Sequence, residues 1–240
     1  MLGLLQQLDH ATFSLINGLV GHSGALDQLV RFILYSDIAK GIPVMMIWWG
    51  LWFRDTAPSS NLARQRLLAV LAVAFAAIFA GRLLALTLPF RYRPIHSPEI
   101  DVALPANMSP SLLQGWSAFP SDHAVLFFAL AAGIYMVHRW LGLLLFAHAA
   151  IVVSVPRIYF GVHWPGDILF GALIGIFITL MLVPHITRLF ARHDALIIES
   201  RYPFLVYPAL FFITFQVASM FGSLREALVF ILSGARSLFF

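Results

Sequence analysis

Long apolar stretches recur along the chain, separated by short polar and basic connections, and none shows the strict alternation of a half-buried strand. Several approach the ~20 residues that a helix needs to cross about 30 Å of hydrocarbon. Only helices and closed barrels satisfy every backbone group in lipid, so the pattern predicts an all-α, polytopic membrane helical bundle. About six transmembrane helices are expected. The first needs residues from about 34 to 53, because 41–53 is too short alone, and it leaves Asp37 and Lys40 near an interface. The others cover 67–88, with Arg82 inside an otherwise uncharged run, then 120–137, 140–156, 164–184 and 202–224, followed by a short apolar tail. Ahead of them, residues 2–20 carry a polar face of Gln6, Gln7, Asp9, His10 and Asn17, which predicts a helix lying on the membrane surface, broken by Gly21 to Gly24. Asp9 and His10 interrupt the first apolar run, so no cleavable signal peptide is expected. Residues 89–119 hold five prolines and predict a long loop clear of the lipid.

Composition narrows this to one membrane domain over residues 1–240, since 60% of the residues are hydrophobic and only 11% are charged. Cysteine is absent, which removes disulfide and thiol chemistry. The net charge of +4 comes from arginines near the ends of apolar runs, with no basic block of the kind that binds nucleic acid. With six spans, Arg54, Arg64, Arg66, Arg139, Arg188, Arg192 and Arg201 share one side, which the positive-inside trend makes cytoplasmic. The expected setting is therefore an inner (plasma) membrane. Arg93, His123, Arg157, His163 and Asp167 fall on the opposite, periplasmic or exterior side. Cations placed against that trend need another reason, and anion binding supplies one.

The richest stretch is Arg157 to Asp167, Arg-Ile-Tyr-Phe-Gly-Val-His-Trp-Pro-Gly-Asp. Pro165 suits a first helical turn, so a helix is expected from near His163 or Trp164, with His163 and Asp167 one turn apart on one face. A carboxylate so placed can accept the proton-bearing ring nitrogen of His163 and leave the other free to attack. Two further segments meet this one on the outer face: Arg93-Pro94 after the second span, and Pro120-Ser121-Asp122-His123 opening the third. Two of the three lie at helix N-termini, whose free N–H groups favour a phosphate.

Arg-Pro, Pro-Ser-x-His and Arg-x5-His-x3-Asp, in that order and each at a span boundary, resemble the type 2 phosphatidic acid phosphatase superfamily, whose active-site pattern is shared with vanadium haloperoxidases. The resemblance covers about residues 82–184, the expected catalytic core, and its last motif is the most specific. It implies removal of a phosphate from a lipid through a phosphohistidine, without a metal or other cofactor. By resemblance, His163 is the nucleophile, Asp167 its orienting partner and His123 the general acid, while Arg93, Ser121 and Arg157 bind phosphate. Three positions depart from the family pattern. Leu86 stands where a Lys is usual, Asp122 replaces the Gly of Pro-Ser-Gly-His, and Pro156 takes a position often held by Ser, with Ser154 displaced by two. Arg82, one turn before Leu86, offers a substitute cation, and Asp122 keeps its backbone N–H for phosphate while adding a carboxylate. The missing Lys and the Phe-Pro-Ser-Asp-His run point to the undecaprenyl diphosphate branch.

The expected substrate is thus a polyprenyl diphosphate, with phosphatidate or phosphatidylglycerophosphate as alternatives, among membrane lipids and with no nucleic acid partner. Transferred phosphoryl groups keep their negative oxygens, so arginines and helix N-termini supply most of the stabilisation. No carboxylate cluster suited to Mg²⁺ is evident. A lipid-phosphate transporter would use the same arginines, yet would gain little from a carboxylate beside a nucleophile-competent ring. His138, His148 and His185 read as structural, Arg91 as an interfacial anchor, and Trp116, Trp140, Trp164 and Tyr202 as aromatic belt residues.

Overall fold

A computed structural model describes residues 2–54, 58–105, 111, 113–224, 226, 227 and 230. Parts of the proline-rich loop (106–110 and 112), of the first polar connection (55–57) and of the apolar tail lie outside the described residues. All regular structure among the described residues is helical. In chain order it comprises α1 (Leu2–Asn17), α2 (Gly24–Tyr35), α3 (Asp37–Lys40), α4 (Ile42–Trp52), α5 (Pro58–Thr87), α6 (Asp122–Val137) and α7 (Arg139–His148). A π-helical stretch, Ala149–Ser154, joins α7 to α8 (Val155–Tyr159), and α9 (Pro165–Arg192), α10 (Leu196–Arg201) and α11 (Pro203–Ala218) complete the chain.

Helices α5, α6 and α9 pack on one another at the centre. Their approach depends on small residues: a Cβ at Gly175 would stand 2.1 Å from the Val125 carbonyl oxygen, so α6 and α9 touch backbone to backbone. A large apolar core surrounds Trp48, Leu67, Val70, Leu126, Leu130 and Val183. Arg66 donates to the Met136 carbonyl at the C-terminal end of α6 (2.6 Å), and Arg64 pairs with Glu199 of α10 (2.6 Å). Both contacts lie at the end of the bundle away from Asp122 and Pro165, where α6 and α9 begin.

Three helical runs, Asn61–Thr87, Arg139–Tyr159 and Pro165–Arg192, are long and apolar enough to cross a membrane. They correspond to the second, fourth and fifth expected spans, and the chain is a membrane protein. The other three expected spans are apolar helices of 11, 16 and 16 residues, α4, α6 and α11, below the ~20 residues of a full crossing. The first is broken twice, at Gly41 between α3 and α4, where Pro43 has no N–H for the preceding turn, and at Ser36, which ends one helix and caps another. Its N–H closes α2 on the Phe32 carbonyl, and its hydroxyl accepts the Ala39 N–H at 3.2 Å to start α3.

The N-terminal helix α1 packs against α8 and α9. Gln6 and Gln7 of its polar face stay exposed while the rest turns inward: Asn17 is buried, donates to the Tyr159 and Ala103 carbonyls at 2.8 and 3.0 Å, and accepts the Ala103 N–H at 3.0 Å. A polar stripe reads the same whether it meets water or the buried backbone of another segment.

Candidate active site

The site is assembled around irregular joints of the chain, two of them shaped by residues that disturb regular structure, Pro156 and Gly161. Pro156 has no N–H to give the preceding turn, and the chain just before it widens into the π-helical stretch. Ser154, buried, donates to the Ala149 carbonyl at 2.7 Å and so serves that wide turn. Arg157 follows on α8, 3% exposed, and one of its guanidinium nitrogens donates to the Val153 carbonyl. Gly161 then turns the chain with φ of +67°, a left-handed value that a side chain rarely adopts, and a Cβ there would meet Val102 at 2.9 Å. The Gly161 carbonyl accepts the Ile95 N–H at 2.9 Å and so anchors the Arg93-Pro94 segment beside the turn.

His163 lies ahead of α9 rather than on it, because the helix begins at Pro165 with Trp164 as its cap. The His163 N–H donates to the Arg157 carbonyl at 3.2 Å, and the side chain is 5% exposed. Its two ring nitrogens have different surroundings. Nδ1 is 2.9 Å from the Ala118 carbonyl, which can only accept, so Nδ1 carries the proton. Nε2 lies 3.2 Å from Arg93 Nη1, which can only donate, so Nε2 holds the lone pair. Both contacts select the same tautomer. Burial, reinforced by Arg93 and Arg157, holds the His163 ring below the ordinary histidine range against the opposing pull of Asp167, so the neutral ring persists into mildly acid solution.

Asp167 does not take the role of a direct proton acceptor. Its Oδ2 is 3.6 Å from Nδ1, beyond a hydrogen bond, and accepts the Trp164 N–H at 2.8 Å instead. Its Oδ1 accepts from Arg91 at 2.6 Å. The carboxylate, fully buried, thus caps α9 and stands beside the imidazole as a negative charge. Arg91 bridges it to Asp9 of α1 (2.6 Å), and Asp9 accepts the Gly166 N–H at 2.6 Å. The N-terminus of α9 is therefore occupied by two carboxylates, and a phosphate is not needed there. Arg91 thus ties two carboxylates together, and Trp164 is no belt residue: it is buried, stacked on His10, with its indole N–H on the Tyr92 carbonyl at 2.9 Å.

Arg93, 6% exposed, also donates to the carbonyls of Val162 (2.6 Å), Ser117 (3.2 Å) and Trp116 (3.3 Å). A cavity of about 450 Å³ gathers Lys40, Arg82, Arg93, Asp122, His123, Arg157 and His163 in its wall. Ser121 is wholly buried at the start of α6, and its hydroxyl has no hydrogen-bond partner among the described residues. A buried hydroxyl without a partner is uncommon, and Ser121 is not among the residues that wall the cavity. Arg82 and Asp122 face the cavity as a pair, Nη2 to Oδ2 at 2.6 Å, with the Arg82 guanidinium 5.1 Å from the centre of the Trp116 ring. The substitute cation Arg82 and the departure at Asp122 thus form one ion pair on the cavity wall. Leu86, the position of the usual Lys, is 79% exposed.

The sequence profile of the PAP2 superfamily matches residues 62–190, a range that contains Arg93, Ser121, His123, Arg157, His163 and Asp167. The chain belongs to the PAP2 superfamily. Among PAP2 relatives, YbjG of Escherichia coli (strain K12), which carries an undecaprenyl-diphosphatase name, is 31% identical over 72% of this chain and 79% of its own length. The undecaprenyl-diphosphatase BcrC of Bacillus subtilis (strain 168) is 25% identical over 71% of this chain and 80% of its own. The crystal structure of Aquifex aeolicus LpxE shares the fold with a TM-score of 0.51 at 24% identity, covering 74% of this chain and 95% of that one.

The sequence left Arg91, Asp9 and Lys40 out of the site. Arg91 had a signal in the charge concentrated between Pro89 and Pro94, and Asp9 in breaking an apolar run. Lys40 had the clearest one, being the single lysine among fifteen lysine and arginine residues.

Proposed function

We propose that this PAP2 membrane lipid phosphatase removes the terminal phosphate of a polyprenyl diphosphate, undecaprenyl diphosphate being the leading candidate, through a phosphohistidine on His163. The observation that carries this reading is the His163 tautomer, with the Nε2 lone pair between Arg93 and the cavity and Nδ1–H held by Ala118. Nε2 attacks the terminal phosphorus as the bond to the bridging oxygen breaks. The Asp167 carboxylate, 3.6 Å away, stabilises the cation that develops on the ring. Arg93 and Arg157 hold the phosphoryl oxygens, and His123, on the cavity wall, gives its proton to the leaving lipid phosphate; Ser121, buried at the start of α6, would join them by a local shift of its hydroxyl. A water then attacks the phosphohistidine, with His123 taking its proton. Arg82 and Asp122 act as a pair that keeps the cavity wall neutral at that point.

Support for a lipid comes from an apolar cleft of about 540 Å³ between α5 and α11, walled by Phe75, Ile78, Phe79, Phe212 and Ile213. Arg82 lines both this cleft and the polar cavity, which sets an apolar surface for a lipid tail beside the site of the phosphorylated head. Support for the diphosphate comes from the YbjG and BcrC relatives. The reading treats residues 1–240 as one catalytic unit, because α1 holds α9 through Asp9. It places the site on the outer face of the plasma membrane, since Arg64, Arg66, Arg139, Arg188, Arg192 and Arg201 lie toward the opposite end.

The test is phosphate release by purified protein in detergent from undecaprenyl diphosphate, phosphatidate and phosphatidylglycerophosphate. The diphosphate is expected to have the highest kcat/KM, and His163→Ala is expected to lose at least three orders of magnitude, about 4 kcal/mol of barrier. Preference for either glycerolipid would overturn the substrate. His163→Ala activity within tenfold of wild type would overturn the nucleophile.

A further inference from the structure

Three buried cations converge on the cavity from separate elements. Arg93 comes from the segment after α5, Arg157 from α8 and Lys40 from the end of α3, respectively 6%, 3% and 5% exposed. Nearby carboxylates offset them only in part. Arg91 is shared by Asp9 and Asp167, which leaves some of the Asp167 charge for Arg93, Asp122 is paired with Arg82, and Asp37, 3.6 Å from Lys40 Nζ, is half exposed to solvent. Like charges gathered out of water repel one another and lose hydration, so an anion that matches them stabilises the arrangement. Arg93 and Arg157 suffice for the two charges of a single transferring phosphate. A third cation calls for further negative charge.

Building on the diphosphate reading above, we propose that Lys40 binds the inner phosphate of the substrate, the one that leaves with the lipid, and so distinguishes diphosphates from monophosphates. An ammonium has three donors, and the Leu34 carbonyl takes one at 2.9 Å. The element that carries Lys40 is fixed independently of substrate, because His148 Nε2 meets the Ala39 carbonyl at 3.0 Å. Lys40 lies outside the residues that match the family profile. It returns a lysine to the site while the usual position, Leu86, faces outward.

Burial, reinforced by Arg157, lowers the Lys40 ammonium to about 8 against the pull of Asp37. Its other charged or titratable neighbours are Tyr35 of α2 and His148 of α7, and across the cavity Arg82, Arg93, Asp122, His123 and His163. In the free enzyme Lys40 loses its charge as pH rises through about 8, so diphosphate capture weakens on the alkaline side. An arginine at position 40 keeps its charge there.

The experiment compares wild type, Lys40→Met and Lys40→Arg on a polyprenyl diphosphate and the matching monophosphate. Lys40→Met is expected to raise KM for the diphosphate at least tenfold with a much smaller change for the monophosphate. Lys40→Arg is expected to stay within about threefold of wild type at pH 7 and to exceed it at pH 9. A Lys40→Met enzyme with an unchanged ratio of the two KM values, or a Lys40→Arg enzyme with the wild-type alkaline limb, overturns the proposal. If Lys40→Met fails to fold, the Lys40→Arg limb alone decides. A readout independent of turnover separates this inference from the reading it rests on: the rise in Tm with inorganic pyrophosphate over that with phosphate. A rise present in wild type and Lys40→Arg but lost in Lys40→Met supports Lys40 even where no lipid is hydrolysed. The same rise in all three overturns it even where hydrolysis proceeds.

Discussion

His163 shows how much of the chemistry was legible one residue at a time and where that stopped. The spacing of Arg157, His163 and Asp167 is local, so the sequence could place them together. The group that holds the His163 proton is a backbone carbonyl, that of Ala118, 2.9 Å from Nδ1, and a backbone acceptor leaves no mark on residue identity. Asp167 was legible as a neighbour of His163, but its hydrogen bond to the Trp164 N–H depends on the helix starting two residues later than the ring. The depressed His163 ring gives a prediction with a definite sign. Attack needs neutral His163, so activity is lost as pH falls through its folded value, which lies below the ordinary ~6.5. The acid limb of kcat/KM in wild type is therefore expected below pH 6.5. Arg93 is one of the charges holding the ring down, so Arg93→Gln is expected to move the acid limb of its residual activity toward neutrality. A limb that stays put, measured with saturating enzyme stability controls at each pH, would contradict the contact between Arg93 and Nε2.

At the scale of elements, long uncharged runs gave the central helices α5 and α9 directly, because their composition and length leave no other stable state in lipid. Contacts between elements were not legible. The buried partners of Asp9 and Asn17 leave no mark in the polar stripe of α1, and the first expected span, from about residue 34 to 53, is divided at Ser36 and Gly41. Arg82 was expected to replace the missing Lys, and the contact between α5 and α6 pairs it with Asp122 at 2.6 Å while it lines the cavity. No sequence pattern within one helix could report a partner forty residues on. The pair predicts a particular pattern of loss and recovery. Arg82→Leu leaves the Asp122 carboxylate uncompensated where the substrate anion must sit, and activity is expected to fall about a hundredfold, roughly 2.7 kcal/mol of barrier. Adding Asp122→Gly removes the repelling charge and is expected to recover activity to within about tenfold of wild type. A double variant as crippled as the single one would show that Arg82 itself grips the phosphate.

The whole molecule joins an apolar bundle to a compact cationic cavity at one end, and the proposed chemistry asks only for positioning and fixed charge. Steady-state activity is expected to survive excess EDTA, while vanadate inhibits by forming a trigonal-bipyramidal adduct on His163 Nε2 that mimics the transferring group. Absolute dependence on Mg²⁺ would contradict this. The most direct test of the central claim is the stereochemical course of the reaction. The substrate is a polyprenyl diphosphate whose terminal thiophosphoryl group carries one ¹⁶O and one ¹⁸O, hydrolysed in ¹⁷O-water, with the configuration of the released thiophosphate read by NMR. Two successive in-line displacements, first by His163 Nε2 and then by water, predict net retention at phosphorus. Inversion would mean that water attacks the substrate directly and that His163 is not the nucleophile.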